Sequence, residues 1–249
     1  TGANRIYASL DQIPVYLQHA FVAIEDERFY KHNGIDLQGI MRAAMITVSD
    51  GEMSQGASTI TQQLLKNNVF NAYNESTMEK IRRKVQEQYL AIKLETVMDK
   101  DSILENYLNT INLGNGYYGV QAAANGYFNK DVSELTLSEC AVLASITKNP
   151  SRLKERQLAV LNNMLKQEYI STNEYSEAVA DDVYARLEGI DVSAASSSSN
   201  YSYFVDEVIN QLIDDLMQQK GYSKQQATSM IYSGGLSVYT TQDMSMQNI

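Results

Sequence analysis

Three groups of residues in this chain have the types and spacing to do chemistry. The first is Glu25-Asp26-Glu27-Arg28-Phe29-Tyr30-Lys31-His32. Helical spacing puts Glu25, Phe29 and His32 on one face, so a carboxylate is flanked by an aromatic ring and an imidazole. A carboxylate against an apolar ring is partly desolvated, which suits it to take up a proton as a general base. The second group lies in Ala57–Phe70, ASTITQQLLKNNVF, where Thr59, Gln63 and Lys66 fall at i, i+4 and i+7 on one helix face. A hydroxyl, an amide and an ammonium turned to one spot suit an anion such as phosphate. The third is Glu79–Glu95, EKIRRKVQEQYLAIKLE. There Ile81, Val85, Tyr89 and Ile92 form the expected buried stripe, and Lys80, Arg83, Lys84 and Glu87 project from the other side. Three cations around one carboxylate leave surplus positive charge for a phosphate.

Taken singly, each group also reads as an ordinary solvated helix face, with Arg83 pairing to Glu87 at i,i+4 for a few tenths of a kcal/mol. Together they hold two separated carboxylates and a set of cations, the minimal kit for glycosyl chemistry. One carboxylate removes a proton from the incoming hydroxyl and positive groups stabilise the leaving group. A diphosphate leaving group needs charge neutralisation rather than a general acid, and Lys66, Arg83 and Lys84 can supply it.

The elements that must position these groups are mainly helical. The chain has 249 residues, 44% of them hydrophobic and 20% charged, enough for a sizeable core and unlike a disordered chain. Its net charge of −10 argues against a general nucleic-acid binder, so an anionic ligand must be met by local basic clusters. The single cysteine, Cys140, gives neither an internal disulfide nor a Cys-based metal site. No run approaches the roughly 18 apolar residues of a spanning helix. The chain reads as an excised piece of something longer.

Helical periodicity dominates from Val15 to about Lys148, bracketed by the two prolines, Pro14 and Pro150. Ile103, Leu104, Tyr107, Leu108 and Ile111 make an amphipathic stripe. Gly114-Asn115-Gly116-Tyr117-Tyr118-Gly119 follows as a turn that permits close approach of another group. Thr136-Leu137-Ser138-Glu139 reads as a capping box. Further helices are expected at about 155–169, 172–187 and 203–219, with a polar loop at Ala194–Asn200. The stretch Ile40–Ile46 reads either as a core helix or as an interfacial one whose Arg42 meets headgroups. Residues 234–241 alternate as a strand would.

Five ordered segments resemble the signature motifs of the peptidoglycan glycosyltransferases, glycosyltransferase family 51. They are Glu25-Asp26-x-x-Phe29-x-x-His32-x-Gly34, Gly56-x-Ser58-Thr59-Ile60-Thr61-Gln62-Gln63-Leu64-x-Lys66-Asn67, and Arg83-Lys84-x-x-Glu87. The fourth runs from Ile103-Leu104-Glu105-x-Tyr107-Leu108-Asn109 to Tyr127-Phe128-x-Lys130, and the fifth begins at Lys148-Asn149-Pro150-Ser151. The match covers about residues 5–170. Ala57 departs from it, standing where the family has a second glycine, as does the lack of a Tyr-Asn-Pro-like stretch after Ser151. The tail Gly234-Gly235-Leu236-x-Val238-Tyr239-Thr240-Thr241 resembles the linker strand toward the transpeptidase domain of class A penicillin-binding proteins. Two SxxK matches, Ser145–Lys148 and Ser151–Lys154, are read as chance.

The resemblance implies a mainly α, lysozyme-like fold with a larger head lobe and a smaller membrane-facing jaw lobe, ending in a short β linker strand. It implies a glycosyltransferase domain over 1–233 and a linker from 234–249 toward a transpeptidase domain in the parent chain. The implied activity polymerises lipid II, as precursor and growing glycan chain, with inversion and release of polyprenyl diphosphate. Glu25 would be the general base and Glu87 a second catalytic carboxylate. Asp26, Phe29, His32, Ser58, Thr59, Gln63, Lys66, Asn67, Arg83, Lys84 and Lys148 would shape the donor and acceptor sites. Other implied partners are a membrane surface and moenomycin-type inhibitors, with no nucleic acid. The implied place is the extracytoplasmic face of the bacterial cell membrane, anchored by a preceding N-terminal segment. The resemblance makes no cofactor certain, and a divalent cation such as Mg2+ at the diphosphate stays open. Two other classes compete: a lysozyme-like hydrolase, which gives no reason for Lys66, Arg83 and Lys84 to cluster, and a silent scaffold, which would not need Glu25 and Glu87.

Overall fold

In a computed structural model of the chain, residues 4–42, 58–70, 76–147, 152–188, 203–222 and 227 are described. Two compact units emerge, Arg5–Ala195 and a second made of Thr1–Asn4 with Ser196–Ile249. The described part of the second is essentially one helix, Tyr203–Lys220. The expected linker at 234–249, Lys148 and most of Ile40–Ile46 lie outside the described residues.

The larger unit contains the helices α1 (Val15–Glu25), α2 (Ile60–Asn68), α3 (Thr77–Leu94), α4 (Lys100–Thr110), α5 (Val120–Phe128), α6 (Leu137–Ser145), α7 (Leu153–Lys166) and α8 (Thr172–Ala180), and residues 37–42 are helical as well. Strand structure among these residues is limited to Asn4–Arg5 and Tyr117–Tyr118. The chain is mainly α, as expected. Its starts are written in the sequence. Pro14 stands at the N-cap of α1. Capping boxes open α2 (Thr59 with Gln62), α3 (Ser76 with Glu79), α6 (Thr136 with Glu139) and α8 (Ser171 with Glu174), each satisfying two otherwise unpaired amides.

The core forms where α6, buried along almost its whole length, packs between α1 and α7. The first two helices beyond Pro150, α7 and α8, therefore belong to the same unit as those before it. The α4 stripe of Ile103, Leu104, Tyr107, Leu108 and Ile111 is buried as expected and rests against α2. At the turn after α4, Gly119 has φ +86°, and a Cβ there would stand 2.6 Å from the Asn109 carbonyl oxygen.

Helix α3 reverses the expectation. Ile81, Val85, Tyr89 and Ile92 are 55%, 62%, 61% and 41% exposed, whereas Glu87 and Ala91 are fully buried. Its polar face turns inward because that face is where close packing is possible. Gly34, at φ +85°, brings its Cα so near that a Cβ would lie 2.5 Å from the Ala91 backbone. The charge buried with that face is compensated by ion pairs rather than by water.

Candidate active site

Glu25 is the last residue of α1, and Asp26 caps it. The helix therefore stops before Phe29 and His32, which do not share a face with Glu25. Phe29 opens a 3-10 turn and is buried in the core, with the Lys100 ammonium 4.4 Å above its ring. His32 turns back to Asp26, its Nε2 2.9 and 3.0 Å from the two carboxylate oxygens. Asp26 also accepts the Ile60 N–H at 2.9 Å, so it ties the end of α1 to the start of α2.

Helix α2 was expected to present Thr59, Gln63 and Lys66 together. Thr59 instead is the N-cap, and its hydroxyl has two jobs: it accepts the Gln62 N–H and donates to the Gly34 carbonyl at 2.7 Å. The capping preference of threonine explains the departure, since a residue that caps has left the helix face. Gln63 points to Glu25, its Nε2 3.0 Å from Oε2 and 3.4 Å from the Ser58 carbonyl. Lys66 and Asn67 are exposed further along the helix.

The other oxygen of Glu25 is held by residues that the motifs did not single out. The Thr147 hydroxyl donates to Oε1 at 2.9 Å, and Arg156 Nη2 stands 3.9 Å from the same atom. Arg156 is itself aimed by a 2.9 Å bond from Nε to the Ser145 carbonyl. Thr147 is adjacent to Lys148 of the fifth motif, and Arg156 follows the short loop after Ser151. Neither carries a periodicity signal, because what unites them is the meeting of α6 and α7 at the end of α1.

Glu87 stands in a different setting. Arg83 bonds its Oε1 and Lys84 Nζ lies 2.7 Å from its Oε2. Lys80, expected as a third cation, remains exposed on the outer part of α3. Lys84 also reaches Ser58 Oγ at 3.1 Å. Ser58 thus stands between the two carboxylates, its carbonyl on the Gln63–Glu25 side and its hydroxyl on the Lys84–Glu87 side.

A cleft of about 450 Å³ opens beside Glu25, walled by Asp26, Ser58 and Thr59 on one side and by Asn163, Lys166 and Gln167 of α7 on the other. Asp36 and Arg42 also line it, and Arg42, itself exposed, pairs with Glu27 at 3.5 Å. Of the carboxylates expected in the site, Asp26 is engaged by His32 and the Ile60 N–H, and Glu87 by Arg83 and Lys84. Among the described residues, no group of three or more His, Cys, Asp or Glu is placed to hold a metal.

The comparisons with known proteins follow the same lines. The family model described as Transglycosylase matches residues 1–184. Penicillin-binding protein 1A of Clostridium botulinum (strain Hall) is 40% identical over 266 residues, which is 100% of this chain and 31% of that protein. Penicillin-binding protein 1A of Aquifex aeolicus is 40% identical over 255 residues, covering 99% of this chain and 32% of the relative. The chain spans about a third of the length of these relatives. The crystal structure of penicillin-binding protein 1A from Haemophilus influenzae overlays with a TM-score of 0.43 at 24% identity, covering 90% of this chain and 23% of that one. With its family model matched over most of the described core, this chain belongs to the transglycosylase family.

Proposed function

We propose that the chain is a peptidoglycan glycosyltransferase domain that polymerises lipid II, with Glu25 as general base. The observation that carries this reading is a buried carboxylate lining a cleft, with a second one nearby that is paired to cations. Glu25 lines the cleft and is met by Gln63, Thr147 and Arg156, while Glu87 is clamped by Arg83 and Lys84. In the reaction, Glu25 takes the proton of the acceptor sugar's 4-hydroxyl as that oxygen bonds to the anomeric carbon of the growing chain. The bond from that carbon to the diphosphate oxygen breaks on the opposite face, inverting the centre. The electron pair leaves with polyprenyl diphosphate, whose charge Lys84, Arg83 and Lys66 neutralise. The cleft between Asp26 and α7 takes the acceptor sugar, and the Ser58–Lys84 side takes the donor.

The outward apolar stripe of α3 supports a membrane-facing role, since its Ile81, Val85 and Tyr89 are flanked by the exposed Lys80, Arg82 and Lys93. No described helix is long and apolar enough to cross a membrane. The remaining elements of the reading are the extracytoplasmic face, a transpeptidase domain in the parent chain and competition by moenomycin-type inhibitors at the donor side. Hydrolysis of preformed glycan is the competing outcome. Incubation with lipid II separates the two: longer glycan strands support transfer, and shortening of added strands supports hydrolysis. Glu25→Gln keeps the fold and abolishes strand formation; a variant polymerising at the wild-type rate would sink the assignment.

A further inference from the structure

We propose that Tyr107 is a positioning residue for Glu25, acting as a latch on the amide of Gln63. The inference rests on the reading of Glu25 as the base. Tyr107 lies on the buried face of α4, and its hydroxyl is 3.3 Å from Gln63 Oε1. The Gln63 amide bridges onward, its Nε2 reaching Glu25 Oε2 and the Ser58 carbonyl. Three helices thus converge through one side chain: α4 gives the phenol, α2 the amide and α1 the carboxylate.

The chemistry of the partners fixes which way the amide faces. Glu25 Oε2 and the Ser58 carbonyl both accept, so the side facing them must be the NH2. The phenol then donates to Oε1. Burial, followed by the negative charge of Glu25 and Asp26, pushes the Tyr107 phenol well above its ordinary value, so it stays a donor. A flipped amide would set Oε1 against two acceptors and leave the phenol proton without a partner in the core, a costly arrangement.

The latch matters when Glu25 has taken a proton. A protonated carboxyl becomes a donor, and a flipped Gln63 would accept from it and hold the acid form. The Tyr107 hydroxyl opposes that flip, so Gln63 continues to present N–H and Glu25 returns to the base form. Other charged groups face Glu25 as well. Arg156 reaches it from α7, the Asp26–His32 pair follows it in sequence, and Glu27, Asp36, Arg42 and Lys166 line the same cleft. Substituting Tyr107 changes none of them.

Lipid II polymerisation by this chain, measured as a function of pH with Tyr107→Phe, tests the latch. The expected result is kcat lowered about three- to ten-fold at neutral pH with KM unchanged, and the acid limb of the rate profile moved upward by about half a pH unit. Replacing Tyr107 by 3-fluorotyrosine, which keeps the hydroxyl, restores the wild-type profile. In a Gln63→Met background, Tyr107→Phe produces no further shift. An unmoved acid limb in a folded Tyr107→Phe chain overturns the latch, as does an undiminished shift in the Gln63→Met background. Glu25→Gln in the same assay separates the two layers. Wild-type polymerisation by Glu25→Gln removes the base assignment itself, whereas a dead Glu25→Gln beside a wild-type Tyr107→Phe removes only the latch.

Discussion

Glu25 and Glu87 are both buried carboxylates on helices of one unit, yet Glu25 lines a cleft and Glu87 lies between two cations. Gln63 and Thr147 each give Glu25 one neutral hydrogen bond, and the nearest described cation, Arg156, stands 3.9 Å away. Glu87 has Arg83 and Lys84 in direct contact, one on each oxygen. Gln63 and Thr147 aim the Glu25 carboxylate from two sides beside the cleft, the placement that the proposed base role needs. A carboxylate between two cations is part of the scaffold of positive charge. On the proposed reading the same residue type does proton chemistry in one place and organises cations in the other, and the surroundings distinguish the two.

The comparison can be broken most sharply by exchanging one group on each side. Glu25→Gln should lower the polymerisation rate by about 10^2- to 10^4-fold with little change in melting temperature, the range expected for losing a general base. Glu87→Ala should do the reverse in kind: it removes the buried carboxylate that Arg83 and Lys84 share and should lower stability by about 3 kcal/mol in urea unfolding. A Glu87→Ala chain as stable as the parent would remove the scaffold role. Gly34→Ala comes next. It strains a φ of +85° and drives a methyl into the α3 backbone, so a loss of about 2 kcal/mol is expected, with activity falling alongside. Thr147→Val removes one neutral bond from Glu25 and should cost roughly five-fold in kcat with KM retained.

The smallest effect lies away from both carboxylates. Asp181 is held down to about 2 by the Arg186 guanidinium, against an opposing pull from burial and with help from the Ser138 hydroxyl. Because its folded value is below the ordinary one, its stabilisation is present above about pH 4 and is lost as pH falls toward 2. Solvent screening keeps this on the order of 1 kcal/mol. Acid unfolding of Asp181→Asn should lack that portion of the pH dependence, leaving the pH dependence of the rate untouched.

Much of the local structure was legible in the residues. The capping box at Thr136–Glu139, the α4 stripe and the helices after Pro150 follow from periodicity and cap chemistry, both of which are short-range. The α3 stripe was read inside out for an equally physical reason. Apolar spacing identifies a helix with two unlike faces, but burial is decided by what packs against it. Here the Gly34–Ala91 contact and the compensated charge of Glu87 favour the polar side. His32 was placed beside Glu25 by extending a helix that in fact ends at Glu25, and Thr59 was counted on a face it leaves in order to cap.

By itself, then, the sequence determined the helical architecture, the Thr136–Glu139 cap, the cationic cluster around Glu87 and the family. These depend on neighbours a few residues apart and on ordered motifs. The tertiary structure alone decided the environment of Glu25, because Gln63, Thr147, Arg156 and Tyr107 come from four separate segments and meet only when the helices pack. A hydrogen bond between residues 122 positions apart, as between Thr147 and Glu25, leaves no mark on local spacing.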